Sequence, residues 1–217
     1  MNKALLIVDL QNDFLPKGAL AVANSDQIIP VINALMPLFK EVYATKDCHS
    51  KDHISFASSW NKEVGESILV NGSKQTLWPD HCIKGQWGCQ LSDSLNQEIV
   101  VKEFYKGTDP AVDSYSVFLD QNRKPASNIV KHLELKQIKE LYIVGLATDY
   151  CIKETVLDAI DLGYRVSVIV DGCKGVNIKP GDEGRALLEM KEKGACLIKS
   201  EELQNTFRFK ELRSKRY

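Results

Sequence analysis

Apolar residues in this chain gather into two alternating kinds of run. Short runs at Ala4–Asp9, Glu41–Asp47, Glu98–Glu103, Leu141–Leu146, Arg165–Asp171 and Ala195–Lys199 predict six strands. Their Val, Ile and Leu residues are continuous rather than every second position, which suits strands covered on both faces, as in a parallel sheet. Between them lie longer runs with helical spacing. Ser25–Lys40 predicts a helix with Ser25 as N-cap, Pro30 near its start, and Ile28, Ile32, Leu35 and Phe39 on one stripe. Ser127–Gln137, Thr148–Leu162 (stopped by Gly163) and Pro180–Lys193 (closed by Gly194) predict three more. Strands alternating with helices predict an α/β fold, a three-layer α-β-α sandwich around a mostly parallel six-stranded sheet. No repeat or linker divides the 217 residues, so they are read as a single domain.

One stretch breaks the alternation. Cys48–Gln97 has no sustained periodicity, yet it holds all three tryptophans, Trp60, Trp78 and Trp87. Insertions of this length in a compact domain are usually functional or disordered, and three tryptophans argue for order. The segment is expected to cover a ligand site.

Charge narrows the partners. The 28 Lys+Arg nearly cancel the 29 Asp+Glu, for a net charge of −1, which argues against a surface built for nucleic acid or an anionic membrane. The N-terminal apolar run Ala4–Val8 is stopped by Asp9, too short for a signal segment or a bilayer span. Six cysteines without such a signal predict reduced thiols in the cytoplasm. None forms a Cys-x-x-Cys pair, which excludes a zinc ribbon and a thioredoxin-type motif. The basic stretch Arg208–Tyr217 is read as a solvated tail.

Open α/β sheets bind ligands beyond the carboxyl ends of their strands. The first predicted strand ends in Asp9 and the second in Asp47-Cys48-His49; the third runs into Lys106, and the fourth into Gly145–Cys151. Cys151 falls in the first turn of a helix, with Thr148 or Asp149 available as N-cap. Free backbone N–H groups and the positive dipole end there favour a thiolate and can receive an oxyanion. A thiol nucleophile needs a base. His132 lies on a helix away from these ends, whereas Asp9 ends the neighbouring strand. Reference values put an aspartate about 4.6 pH units below a cysteine, roughly 6 kcal/mol uphill. The helix terminus and the Lys106 ammonium are expected to lower the thiol, and burial to raise Asp9. Asp47 and His49, two apart on extended chain, share a face with Cys48 turned away. With a third imidazole from His53 or His81, they make a set suited to zinc, iron(II) or manganese.

Five segments, in order, resemble the nicotinamidase/pyrazinamidase group of the isochorismatase-like cysteine hydrolases. They are VDLQNDF with Gly18–Val22, Asp47-Cys48-His49 with His53–Phe56, Trp78-Pro79-Asp80-His81-Cys82, Lys106–Pro110 with Asp113–Phe118, and Gly145–Cys151. The resemblance implies a catalytic triad of Asp9, Lys106 and Cys151, and one divalent cation on Asp47, His49 and His81. Zinc is the first choice for that cation, with iron or manganese the alternatives. It implies His53 as a group supporting those ligands, and Phe14 and Trp78 as apolar walls. Leu146 and Ala147 also border the substrate, joined by a cis peptide that aims the Ala147 and Cys151 N–H groups at an oxyanion. The implied reaction is hydrolysis of nicotinamide to nicotinate and ammonia through a cysteine thioester, a step of NAD salvage, with pyrazinamide also deamidated. A homo-oligomer is left open. Two departures stand out: Cys48-His49-Ser50 where the family has Trp-His-Pro, and a bulkier Gln86–Cys89. The rival readings are an amidohydrolase of the same fold acting on carbamoyl or ureido substrates, and a non-haem metal oxygenase.

Overall fold

The first apolar run forms strand β1 (Asn2–Val8), in which every residue from Ala4 to Val8 is fully buried. The structure, a computed structural model, describes residues 2–70 and 72–214, without the side chains of Ser73 and of residues 208–214. After β1 come helix α1 (Ile29–Leu35), β2 (Val42–Asp47), the hairpin strands β3 (Ser67–Val70) and β4 (Ser73–Thr76), and β5 (Lys102–Lys106). Then follow α2 (Ile129–Leu135), β6 (Ile138–Leu146), α3 (Lys153–Asp161), β7 (Arg165–Lys174), α4 (Asp182–Lys193), β8 (Cys196–Ile198) and α5 (Ser200–Ser214). Six strands pair in the order β5-β2-β1-β6-β7-β8, every neighbouring pair parallel, with β1 and β6 in the middle.

Side-chain alternation along β1 divides the core. Leu5 and Ile7 pack on one face with Ile32 and Leu35 of α1 and Leu203 of α5. Ala4, Leu6 and Val8 pack on the other with Ile129 and Leu133 of α2, Val156 and Ala159 of α3, and Met190 of α4. Helices on both faces are why the central strands read as unbroken apolar runs. The result is the expected three-layer sandwich.

Three differences from the expected local boundaries stand out. The predicted Ser25–Lys40 helix is split into a 3-10 turn at Ser25–Ile28, the short α1, and another 3-10 turn at Met36–Leu38. Pro37 has no N–H to give the α-helical ladder, which stops continuation there. Ser25 does not cap; its hydroxyl donates to the Phe14 carbonyl at 2.9 Å. Strand β5 begins about four residues later than its apolar run suggests. Gln97–Ile99 form a 3-10 turn and Val101 is 54% exposed, so Lys106 is the last strand residue rather than part of the following loop. As an edge strand, β5 is covered less evenly, and its burial alternates. Finally, the expected C-terminal tail continues as α5 to Ser214, while residues 215–217 and the side chains from Arg208 onward lie outside the described residues.

The insert is ordered. It folds back on itself through the β3–β4 hairpin and through bridges pairing Phe56 with Trp78 and His49 with Ile83, and it meets the N-terminal loop where Gln11 pairs with Leu91. Among the described residues, no helix is long and apolar enough to cross a membrane.

Candidate active site

The chain runs outward from β1 through β2 to β5, then returns to β6 on the other side of β1. Loops leaving β1 and β6 therefore part in opposite directions and open a crevice at their carboxyl ends, the usual ligand position in such sheets. Close pairing here depends on Gly145, whose φ is +120° and where a Cβ would strike the Val8 carbonyl. The Leu146–Ala147 peptide that follows is cis. Thr148–Ile152 then forms one turn of π-helix, leading into α3, and Cys151 lies in that turn. Neither expected N-cap is used as one. Thr148 Oγ1 donates to Glu183 at 2.9 Å, and the Asp149 carboxylate accepts the Val176 and Asn177 N–H groups at 2.8 and 2.7 Å.

Lys106, at the end of β5, is completely buried and holds the centre of the site. Its Nζ is 2.9 Å from Asp9 Oδ2, 2.6 Å from Asp47 Oδ1 and 3.4 Å from Cys151 Sγ, and it donates to the Ser114 carbonyl at 3.2 Å. Asp9 is equally buried. Its Oδ1 accepts from the Thr45 hydroxyl at 2.6 Å, while Oδ2 makes no well-directed hydrogen bond despite the nearby ammonium. One oxygen is thereby anchored and the other left available to a proton.

Burial pushes Asp9 above the usual carboxylate range; the Lys106 ammonium opposes this and Asp47 adds to it. Burial also acts upward on Asp47, but Lys106 and the imidazoles of His49 and His81 outweigh it and hold Asp47 well below that range. Lys106 stays an ammonium, because the negative groups around it overcome its own desolvation. Cys151 departs from expectation. Complete burial, reinforced by Asp9 and Asp47, pushes the thiol up against the pull of Lys106. Desolvation wins over both the ammonium and the helix start.

On the far side of Asp47, its Oδ2 lies 3.6 Å from His49 Nε2 and 3.9 Å from His81 Nε2. His49 Nδ1 donates to the Gly107 carbonyl at 2.8 Å, and His81 Nδ1 to the Pro79 carbonyl at 2.7 Å. Each backbone carbonyl holds the Nδ1 proton, so each imidazole, when neutral, presents an Nε2 lone pair, the arrangement seen for histidines that ligate metals. Ligand atoms of Asp47, His49 and His81 all lie within 4.8 Å of one another, so these residues fit a divalent cation. Gly107 is needed there: its φ is +62°, and a Cβ would come 2.4 Å from the His49 ring. His53 lies outside this trio. Its ring stacks on His49 at 4.0 Å, its Nδ1 meets Ser55 Oγ at 2.8 Å, and its buried Nε2 has no hydrogen bond. Burial and the neighbouring His49 hold it near a pKa of about 4, a neutral imidazole.

Between triad and trio lies a cavity. Phe14 and Trp78 line it, as do Ala147, Asp47, His81 and Cys151. Leu146 does not; it is buried in the core behind, and its contribution is the peptide it shares with Ala147. The further lining residues that the sequence did not single out include Asp113, Tyr115 and Tyr150. Trp78 Nε1 donates to the Tyr115 hydroxyl at 3.0 Å, and Tyr150 meets the Trp78 ring edge-on at 5.0 Å. Tyr150 directly precedes Cys151, and Asp113 and Tyr115 belong to the Lys106 segment, so adjacency was the available signal. His132 is remote, packed edge-on against Tyr43 and Phe104.

Comparison with known proteins agrees with this geometry. Residues 3–202 match the isochorismatase domain. The chain is 46% identical over 199 residues to the nicotinamidase of Escherichia coli, covering 90% of this chain and 93% of that protein. An Acinetobacter baumanii nicotinamidase/pyrazinamidase structure superposes with a TM-score of 0.90 at 38% identity, covering 93% of this chain and 98% of the other. The pyrazinamidase of Pyrococcus horikoshii, solved in complex with zinc, has a TM-score of 0.75 at 34% identity, with 92% and 99% covered. With a domain match spanning nearly the whole sequence, the chain belongs to the isochorismatase family.

Proposed function

We propose that this protein is a nicotinamidase, hydrolysing nicotinamide to nicotinate and ammonia with Cys151 as nucleophile. The observation that carries this reading is the buried Lys106 ammonium, which touches Asp9 and Cys151 at the foot of an aromatic-walled cavity and is joined through Asp47 to the His49 and His81 imidazoles. Aromatic walls suit a flat heteroaromatic ring, and both Cys151 and the Asp47–His81 side of the site face the cavity that would hold it. Asp47, His49 and His81 would hold a divalent cation, zinc being the first candidate, which supplies a Lewis-acid anchor for the ring nitrogen.

The chain's own residues carry the bond changes. Asp9 takes the Cys151 proton, and the thiolate sulfur forms a bond to the amide carbon. The carbonyl π electrons move onto oxygen, where the Ala147 and Cys151 N–H groups receive the negative charge. Asp9 then gives its proton to the departing ammonia, the C–N bond breaks and a thioester remains. For hydrolysis, Asp9 removes a proton from water, hydroxide adds to the thioester carbon, and the C–S bond breaks as Asp9 returns the proton to the Cys151 sulfur, releasing the acid. Lys106 keeps the carboxylate, thiolate and oxyanion forms tolerable in a site with almost no solvent. With both Asp9 and Cys151 pushed up, the resting site holds a proton that the two can exchange.

Six unpaired cysteines accord with a cytoplasmic enzyme. The test is ammonia release from nicotinamide, with and without a chelator, by the wild type and by Cys151→Ala. Release should depend on Cys151 and fall on chelation. Undiminished release by Cys151→Ala would overturn the reading; a wild type inert toward nicotinamide but active on ureido or carbamoyl compounds would replace the substrate while keeping the nucleophile.

A further inference from the structure

Behind the metal-ligand trio, on the side away from the substrate cavity, two thiols meet. Cys48 sits between Asp47 and His49 in the chain, and its side chain lies beside that of Cys89. The backbone holds them together. Gln11 Nε2 donates to both the Asp47 carbonyl (2.8 Å) and the Cys89 carbonyl (2.9 Å), and Cys89 Sγ lies 3.3 Å from the same Asp47 oxygen. Cys48 is itself pinned by its N–H, which donates to the Lys106 carbonyl at 3.0 Å.

The other four cysteines lack this arrangement. Cys82 is wholly buried and its thiol meets the Gly88 carbonyl. Cys173 is buried in β7 with its thiol on the Ile169 carbonyl, Cys151 faces the catalytic cavity, and Cys196 is exposed on β8. Cys48 and Cys89 are buried as well, 6% and 4% exposed, but both border a surface groove with Lys46, Lys84 and Tyr105 that is separate from the substrate cavity. Two thiols already in contact can be bridged with little backbone movement, and the groove gives a small oxidant access to them.

We propose that Cys48 and Cys89 are a peroxide-reactive dithiol that closes to a disulfide. One sulfur, as thiolate, attacks a peroxide oxygen; the O–O bond breaks and the leaving hydroxide departs as water with that thiol's proton, giving a sulfenic acid. The second sulfur attacks the sulfenic sulfur, the S–O bond breaks, and hydroxide leaves as a second water with the second thiol's proton. Two thiols are oxidised to one disulfide and one peroxide is reduced to two waters. Nothing in this step involves the substrate, so it stands independently of the proposed hydrolysis.

The test treats the reduced full-length protein with hydrogen peroxide, alkylates the remaining thiols, unfolds it and digests it without reductant for mass mapping. The expected result is a joined pair of peptides carrying Cys48 and Cys89, lighter by two hydrogens and separated again by reductant. Cys196 should remain alkylated and the chain should run as a single copy on a non-reducing gel. In Cys89→Ser, the Cys48 sulfenic acid should persist and accept a dimedone label that the wild type does not; the wild-type map decides the matter even if that variant folds poorly. Cys48 and Cys89 both alkylated after peroxide, a bridge to Cys82 instead, or a disulfide between copies would each overturn the proposal.

Discussion

Asp9 at the end of β1 and Asp47 at the end of β2 stand on two sides of one ammonium, 2.9 and 2.6 Å from Lys106 Nζ, and both are buried. Their protons nevertheless behave oppositely. Around Asp9, desolvation prevails, because its help beyond Lys106 is a single hydroxyl from Thr45. Around Asp47, two imidazoles join Lys106, and ionisation prevails. Two carboxylates whose environments drive their pKa values apart have divided roles. Asp9, beside the thiol, is fitted to accept and return a proton. Asp47, always charged, is fitted to hold cations: Lys106 with one oxygen and a metal with the other. Proximity to Lys106 alone would not have told them apart.

Amide substitutions break this comparison most directly, since each keeps the shape and removes the charge. Asp9→Asn cannot carry a proton, and its kcat should fall by about 10²–10⁴-fold, the range general acid–base catalysis contributes. Its cation content should match the wild type. Metal analysis beside an ammonia-release assay checks both halves, and near-wild-type kcat would remove Asp9 from proton transfer. Asp47→Asn should fail differently. It should purify with less divalent cation and show a raised KM, with kcat/KM lower by at least about 10–100-fold, the size of effect known for weaker disturbances of metal sites. If this variant kept its cation and lost kcat as Asp9→Asn does, the two roles would have to be exchanged. Each variant leaves Lys106 one carboxylate, so neither strands a wholly unpaired buried charge, and thermal melting should show both folded.

What could be read from the sequence follows the same division. Strands β1 and β6 were legible because both faces are covered, so their apolar runs mark the elements that lead into Asp9 and end at Leu146. Strand β5 was misplaced because, at the sheet edge, the apolar residues Ile99–Val101 lie outside it and the strand proper is Lys-Glu-Phe-Tyr-Lys. The triad and trio positions were legible as polar residues at strand ends or within short motifs. The direction of the thiol's shift was not, because complete burial of Cys151 is a property of the packed site and not of its place before α3. The aromatic wall at Tyr115 and Tyr150 and the contact of Cys48 with Cys89 depend on how loops fold over one another, and no periodicity encodes that.

The finest test of the comparison lies in Thr45, fully buried on β2. Its hydroxyl donates to Asp9 Oδ1 at 2.6 Å and accepts the Asp9 N–H at 3.2 Å, an N–H that the Thr45 backbone carbonyl also accepts at 3.2 Å. Thr45→Val removes both bonds of the hydroxyl and keeps the backbone carbonyl's hold on the Asp9 N–H, so Asp9 stays in place with less support for its charge. The hydroxyl favours the carboxylate; losing it pushes Asp9 further up. Because the carboxylate is the form that accepts the thiol proton, a smaller fraction is active at a given acidic or neutral pH. The acidic limb of the kcat/KM profile should therefore move to higher pH. The loss at neutral pH should be about three- to tenfold, the worth of one such hydrogen bond, and should shrink as pH rises. Cation content should not change, since Thr45 does not touch Asp47's imidazole side. A uniform fall across the whole pH range would mean that the hydroxyl only positions Asp9, and that the upward shift of this carboxyl does not govern the rate.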